Sequence, residues 1–196
     1  MGLSYEITQT WNSNSIDHDP VKITIKPGPD PSNPELVAEI QAPWFNCPEP
    51  PSQPPGSVPG LWDYEVVELF FLNDKEEYLE VEVSPSGHWL VLQLVGRRNI
   101  VKQGLPLNFT VTTNDHTWSG VVRIPASFFP PRVSKFNAYA IHGSGSDRTY
   151  ESLFPAPKEK FSDPDFHRLE YFQSIGLYEQ GYLPLICAKT PWPYES

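Results

Sequence analysis

Apolar and polar residues alternate along much of the chain, with the two-residue period of a half-buried β-strand. In the segment 21–26, Val21, Ile23 and Ile25 alternate with two lysines and a threonine. This pattern predicts a strand with one buried face and one wet face. By this period, or by short apolar runs between turn residues, strands are predicted over 3–8, 21–26, 35–41, 65–73, 77–84, 88–95, 109–113, 118–124 and 136–142.

Three consecutive segments carry the densest apolar pattern. The segment 65–73 has large apolar side chains at both odd and even positions, which predicts a central strand covered on both faces. The segment 77–84 alternates, with Glu80 and Glu82 opposite its apolar positions, and 88–95 follows after another short turn. Strands joined by short polar turns predict an antiparallel meander.

Only one segment has the pattern of a helix start. The run Ser162-Asp163-Pro164-Asp165 offers residue types favoured at an N-cap, a proline suited to the first helical position, and an acid in the first turn. These residues predict one short helix near 164–173.

Proline shapes the predicted connections between strands. The chain has 23 prolines in 196 residues, and proline is excluded from helix interiors and central strands. Many of them lie in a long loop over 42–60, and the chain is irregular again from 177. We therefore predict one all-β domain over 1–196, an antiparallel β-sandwich of jelly-roll or immunoglobulin-like topology with one short helix.

The charge of the chain narrows the classes of partner. The formal net charge is -10 and the isoelectric point about 4.9, so we expect no nucleic-acid partner, because an acidic surface repels phosphate backbones. The sequence has no apolar run of membrane-spanning length and no apolar leader at its start, which predicts a cytoplasmic protein without a membrane partner. In that reducing compartment Cys47 and Cys187 are expected to be free thiols.

A motif in the first half of the chain resembles a known family. It consists of PGLWDYEVVELF over 59–70 followed by YLEVEVSPSG over 78–87. It is similar to the family 9 carbohydrate-binding modules, and closer still to the related DOMON-like type 9 domains. The resemblance implies a β-sandwich in which two aromatic rings hold a terminal sugar while polar side chains bind its hydroxyls.

The resemblance also implies which residues form the ligand site. A first ring, a carboxylate six residues later, an arginine, and a second ring preceded by a polar residue are expected. The residues at these places are Trp62, Glu68, Arg97 or Arg98, Asp147 and Tyr150. Asp147 and Tyr150 depart from the family, which has an amide and a tryptophan there.

Four residues of the motif, Trp62, Glu68, Glu80 and Glu82, also have a purely structural interpretation. Trp62 either stacks on a ligand or closes the edge of the core. Glu68 either binds a ligand or forms a structural ion pair with Arg97 or Arg98. Glu80 and Glu82 either contribute to the site or mark a solvated face of the sheet.

The predicted function is a non-catalytic binding domain for a small polar ligand, such as a carbohydrate or glycoconjugate. The alternative is a protein-interaction or scaffold domain that has lost sugar binding and contacts its partner through the 42–60 loop. We expect no enzyme, because nucleophile motifs and metal-ligand spacings are absent from the sequence. No cofactor or metal site is predicted, although Asp163 and Asp165 could hold a structural calcium ion.

Overall fold

Two antiparallel sheets contain all the strands in the part of the chain that the computed structural model describes, residues 2–184 and 192–193. The smaller sheet contains, in spatial order, β1 (Leu3–Ile7), β3 (Val21–Pro27), β4 (Glu35–Pro43), β10 (Thr117–Pro125) and β9 (Asn108–Thr113). The larger sheet contains, in spatial order, β2 (Gln9–Thr10), β12 (Thr149–Ser152), β11 (Lys135–His142), β5 (Val66–Leu72), β6 (Glu77–Val83), β7 (Trp89–Val95) and β8 (Ile100–Gln103), and β13 (Gln173–Ser174) also pairs with β11.

This arrangement confirms the predicted all-β sandwich. All the predicted strands are present, and β5, β6 and β7 form the predicted meander. The short strands β2, β8, β12 and β13 were not predicted, because segments of two to four residues are too short to establish a period.

Two hydrophobic cores lie on opposite faces of the larger sheet. All seven residues of β5 are buried, as predicted for a central strand. One face of β5 packs against the smaller sheet. On this face, the centroid of the Phe71 ring lies 5.0 Å from that of Phe129 and 5.1 Å from that of Phe136. The other face carries Phe70 and is covered by loops, among them the one that contains Phe166.

The proline-rich loop is held against the larger sheet at both ends. β4 extends two residues into the region predicted as loop. Glu65 accepts hydrogen bonds from the backbone N–H groups of Phe45 at 3.0 Å and Cys47 at 3.3 Å. Near its other end, the Val58 N–H donates to the Trp89 carbonyl at 3.0 Å. The middle of the loop lies against the start of β7, where Nε2 of His88 is 2.9 Å from the carbonyl oxygen of Gln53.

The predicted short helix near 164–173 is wrong, since this region contains no α-helix and only a three-residue 3₁₀ turn. Instead, the Asp165 carboxylate accepts the backbone N–H of His167 at 2.9 Å, a local bond that competes with helix formation. The Phe166 ring stacks on Tyr139 with 3.9 Å between centroids. These tertiary contacts hold the segment as a loop across the outer face of the larger sheet.

The chain after 177 is irregular as far as it is described. Leu177 and Leu183 are nonetheless buried in the core between the sheets. Cys47 is a free thiol, and Cys187 lies outside the described residues. Among the described residues, no helix has the length and apolar character needed to cross a membrane.

Candidate functional site

A cavity of about 690 Å³ opens on the outer face of the larger sheet, a size suited to a small ligand. Strands β5, β6, β7 and β11 provide its floor, through Glu68, Glu80, Leu92, Leu94 and Ile141. Segments around the floor provide the walls, through Pro48, Trp62, Asp63, Arg98, Ile100, Ser144, Gly145, Arg148, Tyr150, Pro164, Asp165, Phe166 and His167.

Strand register brings three carboxyl groups together on this face. Glu68 on β5 lies directly opposite Glu82 on β6, and Glu80 shares the face of Glu82 because side chains alternate along a strand. All three residues are buried. The structural interpretation of Glu80 and Glu82 as a solvated face is therefore wrong, because loops cover the outer side of the sheet.

Burial changes the charge of this acidic cluster. Loss of hydration, followed by repulsion from Glu80, raises the pKa of Glu68 well above its ordinary value. The pKa of Glu80 is raised to about 8, chiefly by burial. The pKa of Glu82 is also strongly raised, by burial and by repulsion from Glu68 and Glu80. The cluster therefore holds protons at neutral pH and presents O–H donors as well as acceptors.

Several oxygens of the cluster have no hydrogen-bond donor. Glu68 Oε1, Glu80 Oε2 and both carboxylate oxygens of Glu82 are buried without a partner, although Glu80 and Glu82 can share a hydrogen bond when one of them is protonated. Buried polar atoms without partners are uncommon in proteins and invite an explanation at each site. Glu68 and Glu80 both line the cavity, so their carboxyl groups form part of the surface that a ligand would contact.

Arg148 is the basic residue that connects the walls to the floor. Its Nη2 donates to the carbonyls of Trp62 at 2.6 Å and Tyr64 at 3.4 Å, and its Nη1 donates to that of Gly143 at 3.2 Å. Its positive charge also favours the ionised form of Glu68. The sequence prediction missed this residue, although it lies between Asp147 and Tyr150 and carries the five-donor group expected of a site arginine.

A hydrogen-bonded chain crosses the opposite wall of the cavity. Arg98 pairs with Asp165 at 2.6 Å, and its backbone N–H donates to the Tyr78 hydroxyl at 3.0 Å. That hydroxyl lies 2.7 Å from Nδ1 of His167. Burial, and then the charge of Arg98, lowers the pKa of His167 to about 4. Because the Tyr78 hydroxyl oxygen already accepts the Arg98 N–H, its own proton is free to be donated to Nδ1 of the neutral imidazole.

Four of the six residues implied by the resemblance line this one cavity: Trp62, Glu68, Arg98 and Tyr150. Trp62 is 40% exposed, so it does not plug the core. Arg98 pairs with Asp165 and not with Glu68, so the ion pair considered for Glu68 is not formed with it.

The remaining two implied residues lie outside the cavity lining. Arg97 pairs with Glu170 at 2.7 Å on the exposed surface. Asp147 ends an exposed 3₁₀ turn, where its carboxylate accepts a hydrogen bond from the Ser146 hydroxyl at 3.4 Å. Arg98 and Tyr150 therefore line the cavity, whereas Arg97 and Asp147 do not.

The two acids considered for calcium have protein partners. Asp165 Oδ1 contacts the Arg98 guanidinium and the backbone N–H of His167. Asp163 Oδ2 accepts a hydrogen bond from the Ser162 hydroxyl at 2.6 Å. The Arg98 guanidinium therefore already offsets the charge of the Asp165 carboxylate.

Comparison with solved structures supports the predicted fold. A crystal structure described as a "putative carbohydrate-binding protein" from Bacteroides uniformis aligns with a TM-score of 0.65 and 14% identity, covering 88% of this chain and 85% of that one. A family 9 carbohydrate-binding module from Caldicellulosiruptor kristjanssonii, in complex with cellotriose, aligns with a TM-score of 0.44 and 13% identity over 87% of this chain and 77% of that one. The first match shows a shared fold, and the second is too weak to carry an argument.

Comparison of sequences gives the family. No protein-family model matches the chain. The UPF0462 protein C4orf33 homolog of Danio rerio is 51% identical over 180 residues, which cover 89% of each chain. The UPF0462 protein C4orf33 of Homo sapiens is 47% identical over 180 residues, covering 89% of this chain and 88% of that protein. The chain therefore belongs to the UPF0462 family.

Proposed function

We propose that the cavity binds a small polar ligand, a carbohydrate or the glycan of a glycoconjugate, without changing it chemically. One observation carries the proposal: an exposed Trp62 side chain lines the same cavity of about 690 Å³ as Glu68 and Glu80, two buried acids that each have an oxygen without a hydrogen-bond partner. Ligand sites commonly combine a concave apolar lining with a few placed polar groups in this way.

The lining matches the chemistry of a sugar. A sugar ring presents an apolar C–H face, which packs on large aromatic surfaces such as those of Trp62 and Tyr150. Its hydroxyls both donate and accept, so the partly protonated Glu68 and Glu80 suit them. The Arg98 guanidinium at the opposite wall adds charged donors. The fold shared with the Bacteroides uniformis protein agrees with this assignment.

The position of the acids favours binding over hydrolysis. Glycoside hydrolysis uses two carboxyl groups that flank the scissile bond. Glu68 and Glu80 both rise from the same sheet and approach a ligand from one side. Glu82, which faces Glu68 across the strands, does not line the cavity.

The proposal is tested by titrating the purified protein with a panel of mono- and oligosaccharides in a calorimeter. Replacing Trp62 by alanine should weaken binding of any sugar that binds by about 30-fold, the size expected for a central aromatic anchor. Val101→Ala is the matched control, since Val101 is 42% exposed and lies outside the cavity lining. Equal affinities of wild type and Trp62→Ala would refute the assignment of the site.

Adjacent arginines provide a second matched pair. Arg98→Ala should weaken binding, whereas Arg97→Ala should leave it unchanged, because only Arg98 lines the cavity. If no sugar binds, and a protein partner is captured in a way that depends on the 42–60 loop, the sandwich is instead a protein-interaction domain.

A further inference from the structure

A second polar cluster, formed by His18, His142 and Glu151, lies beside the cavity. His18 comes from the connection between β2 and β3, His142 ends β11, and Glu151 lies within β12. Nε2 of His18 and Nε2 of His142 lie 2.9 and 2.7 Å from the same atom, Glu151 Oε1. The three ligand atoms lie within 4.8 Å of one another, so two imidazoles and one carboxylate converge on one point.

The hydrogen bond on the far side of His18 fixes which of its nitrogens carries the proton. Nδ1 of His18 lies 2.9 Å from the carbonyl oxygen of Asp19, and a carbonyl only accepts, so Nδ1 bears the hydrogen. In the neutral ring, Nε2 then carries a lone pair, which points at the carboxylate oxygen of Glu151. Two acceptors at this distance repel each other unless a proton or a cation lies between them.

This arrangement is the one typical of a metal-ligating histidine. Such histidines commonly donate their other ring N–H to a backbone carbonyl, which orients the ring and fixes its tautomer. The Phe45 ring supports both imidazoles, stacking on His142 at 3.6 Å and meeting His18 edge-on at 4.9 Å. The ligands are therefore held in place before any ion binds.

The charges around the cluster also favour a cation. Glu151 is completely buried, and its Oε2 has no hydrogen-bond partner. The side chain of His18 is 18% exposed, so an ion has a path from solvent to the buried carboxylate.

We propose that His18, His142 and Glu151 bind a divalent transition-metal ion, with Zn²⁺ as the preferred occupant. Two imidazole nitrogens and one carboxylate form a ligand set common for zinc, in which water takes the fourth position. Nitrogen ligands disfavour calcium and magnesium, which prefer oxygen. With zinc–ligand distances of about 2.0–2.1 Å, tetrahedral ligand atoms lie about 3.3 Å apart. Each histidine Nε2, now 2.9 or 2.7 Å from Glu151 Oε1, therefore needs to move away from that oxygen by only about half an ångström.

The bound ion would fix one wall of the cavity. His142 and Glu151 lie on either side of the loop 143–148, and Ser144, Gly145 and Arg148 of that loop line the cavity. The ion joins both ends of the loop to the segment that carries His18. An ion bound there would stabilise the position of this loop, and its binding does not depend on the identity of the ligand in the cavity.

The test is calorimetric titration of the whole chelator-treated protein with Zn²⁺, and with Ca²⁺ as the control ion. Wild type should bind one equivalent of Zn²⁺, with a rise in Tm, and should not respond to Ca²⁺. His18→Ala should weaken Zn²⁺ binding by more than about 100-fold, since even loss of an outer partner of a ligand costs 10- to 100-fold. His116→Ala should bind as wild type does, because His116 is an exposed histidine in the turn between β9 and β10.

A measurement on wild type alone keeps the proposal falsifiable if His18→Ala does not fold. In ¹⁵N spectra of the histidine rings, added Zn²⁺ should shift Nε2 of His18 and His142 while leaving the rings of His88 and His116 unchanged. Failure of folded wild type to bind Zn²⁺, or unchanged binding in a folded His18→Ala variant, would overturn the proposal. An imidazolium at His18 that persists with excess Zn²⁺ would also overturn it, because a proton would then occupy the place of the ion.

Discussion

Replacing Glu80 by glutamine should stabilise the protein at alkaline pH. Glu80 is buried on the floor of the cavity beside Glu82. Ionisation of Glu80 therefore costs free energy, because it creates a charge where little water can solvate it. Glutamine has nearly the same shape but does not ionise. The substitution therefore removes the cost of the charge and leaves the packing of β6 intact.

The pKa of Glu80 sets the size and the pH range of the effect. Because the folded-state pKa of about 8 lies above the ordinary value of 4.5, the folded state holds the proton more tightly than the unfolded state. The stability that Glu80 contributes to the wild-type protein is therefore fully present below pH 4.5, and it is lost as the pH rises through about 8. One pKa unit corresponds to ~1.4 kcal/mol. Because Glu82 can share the proton, the effect is smaller than the full pKa shift would give, and we expect Glu80→Gln to raise the free energy of unfolding by about 2–3 kcal/mol at pH 9.

Urea unfolding followed by tryptophan fluorescence, from pH 4.5 to 9, measures this difference directly. The advantage of Glu80→Gln over wild type should be near zero at pH 4.5 and should grow up to about pH 8. Glu76→Gln is the matched control, because Glu76 is exposed in the turn between β5 and β6. A constant difference between Glu80→Gln and wild type over the whole range would show that the carboxyl is not held protonated, and would refute the argument.

Three further substitutions test other parts of the structure. Tyr78→Phe removes the hydroxyl between Arg98 and His167 and should cost about 1–2 kcal/mol in urea unfolding. Phe71→Ala should cost about 3–5 kcal/mol, because its ring is fully buried between the sheets; a loss below 1 kcal/mol would contradict that packing. Arg148→Lys removes the guanidinium that donates to three backbone carbonyls, so it should speed amide hydrogen exchange in the loop that begins at Gly143. Unchanged exchange would show that these hydrogen bonds do not hold the loop.

The core strands could be predicted because the residues that specify each strand are neighbours in the sequence. In β6 the alternation of apolar residues with Glu80 and Glu82 is enough to specify a strand and its two faces. The residue pattern could not show that both faces are buried. The loops that cover the acidic face come from distant parts of the chain, including Phe166 and Arg148.

The predicted helix failed for the same reason. The residues Ser162 to Asp165 satisfy the local rules for a helix start, but the structure instead places Phe166 and His167 in contact with Tyr139 and Tyr78 on the sheet. Tertiary contacts of single side chains therefore override a short-range preference.

The residues of the candidate site that lie close together in the sequence could be predicted most directly. Trp62 and Glu68 lie within one continuous motif, so a resemblance can place both residues at once. Arg148, and the cluster of His18, His142 and Glu151, depend on pairing of β11 with β12 and on a distant connection. No spacing rule along the sequence brings those three ligands together.

The central claim, that the cavity binds a carbohydrate, is tested most directly by the indole N–H of Trp62 in ¹H–¹⁵N spectra recorded during saccharide titrations. For at least one saccharide, the account predicts a saturable shift of this indole and of backbone signals near Arg98 and Arg148. Signals from the smaller sheet should stay unchanged. If no saccharide in a broad panel shifts the Trp62 indole, or if shifts fall elsewhere on the protein, the claim is contradicted.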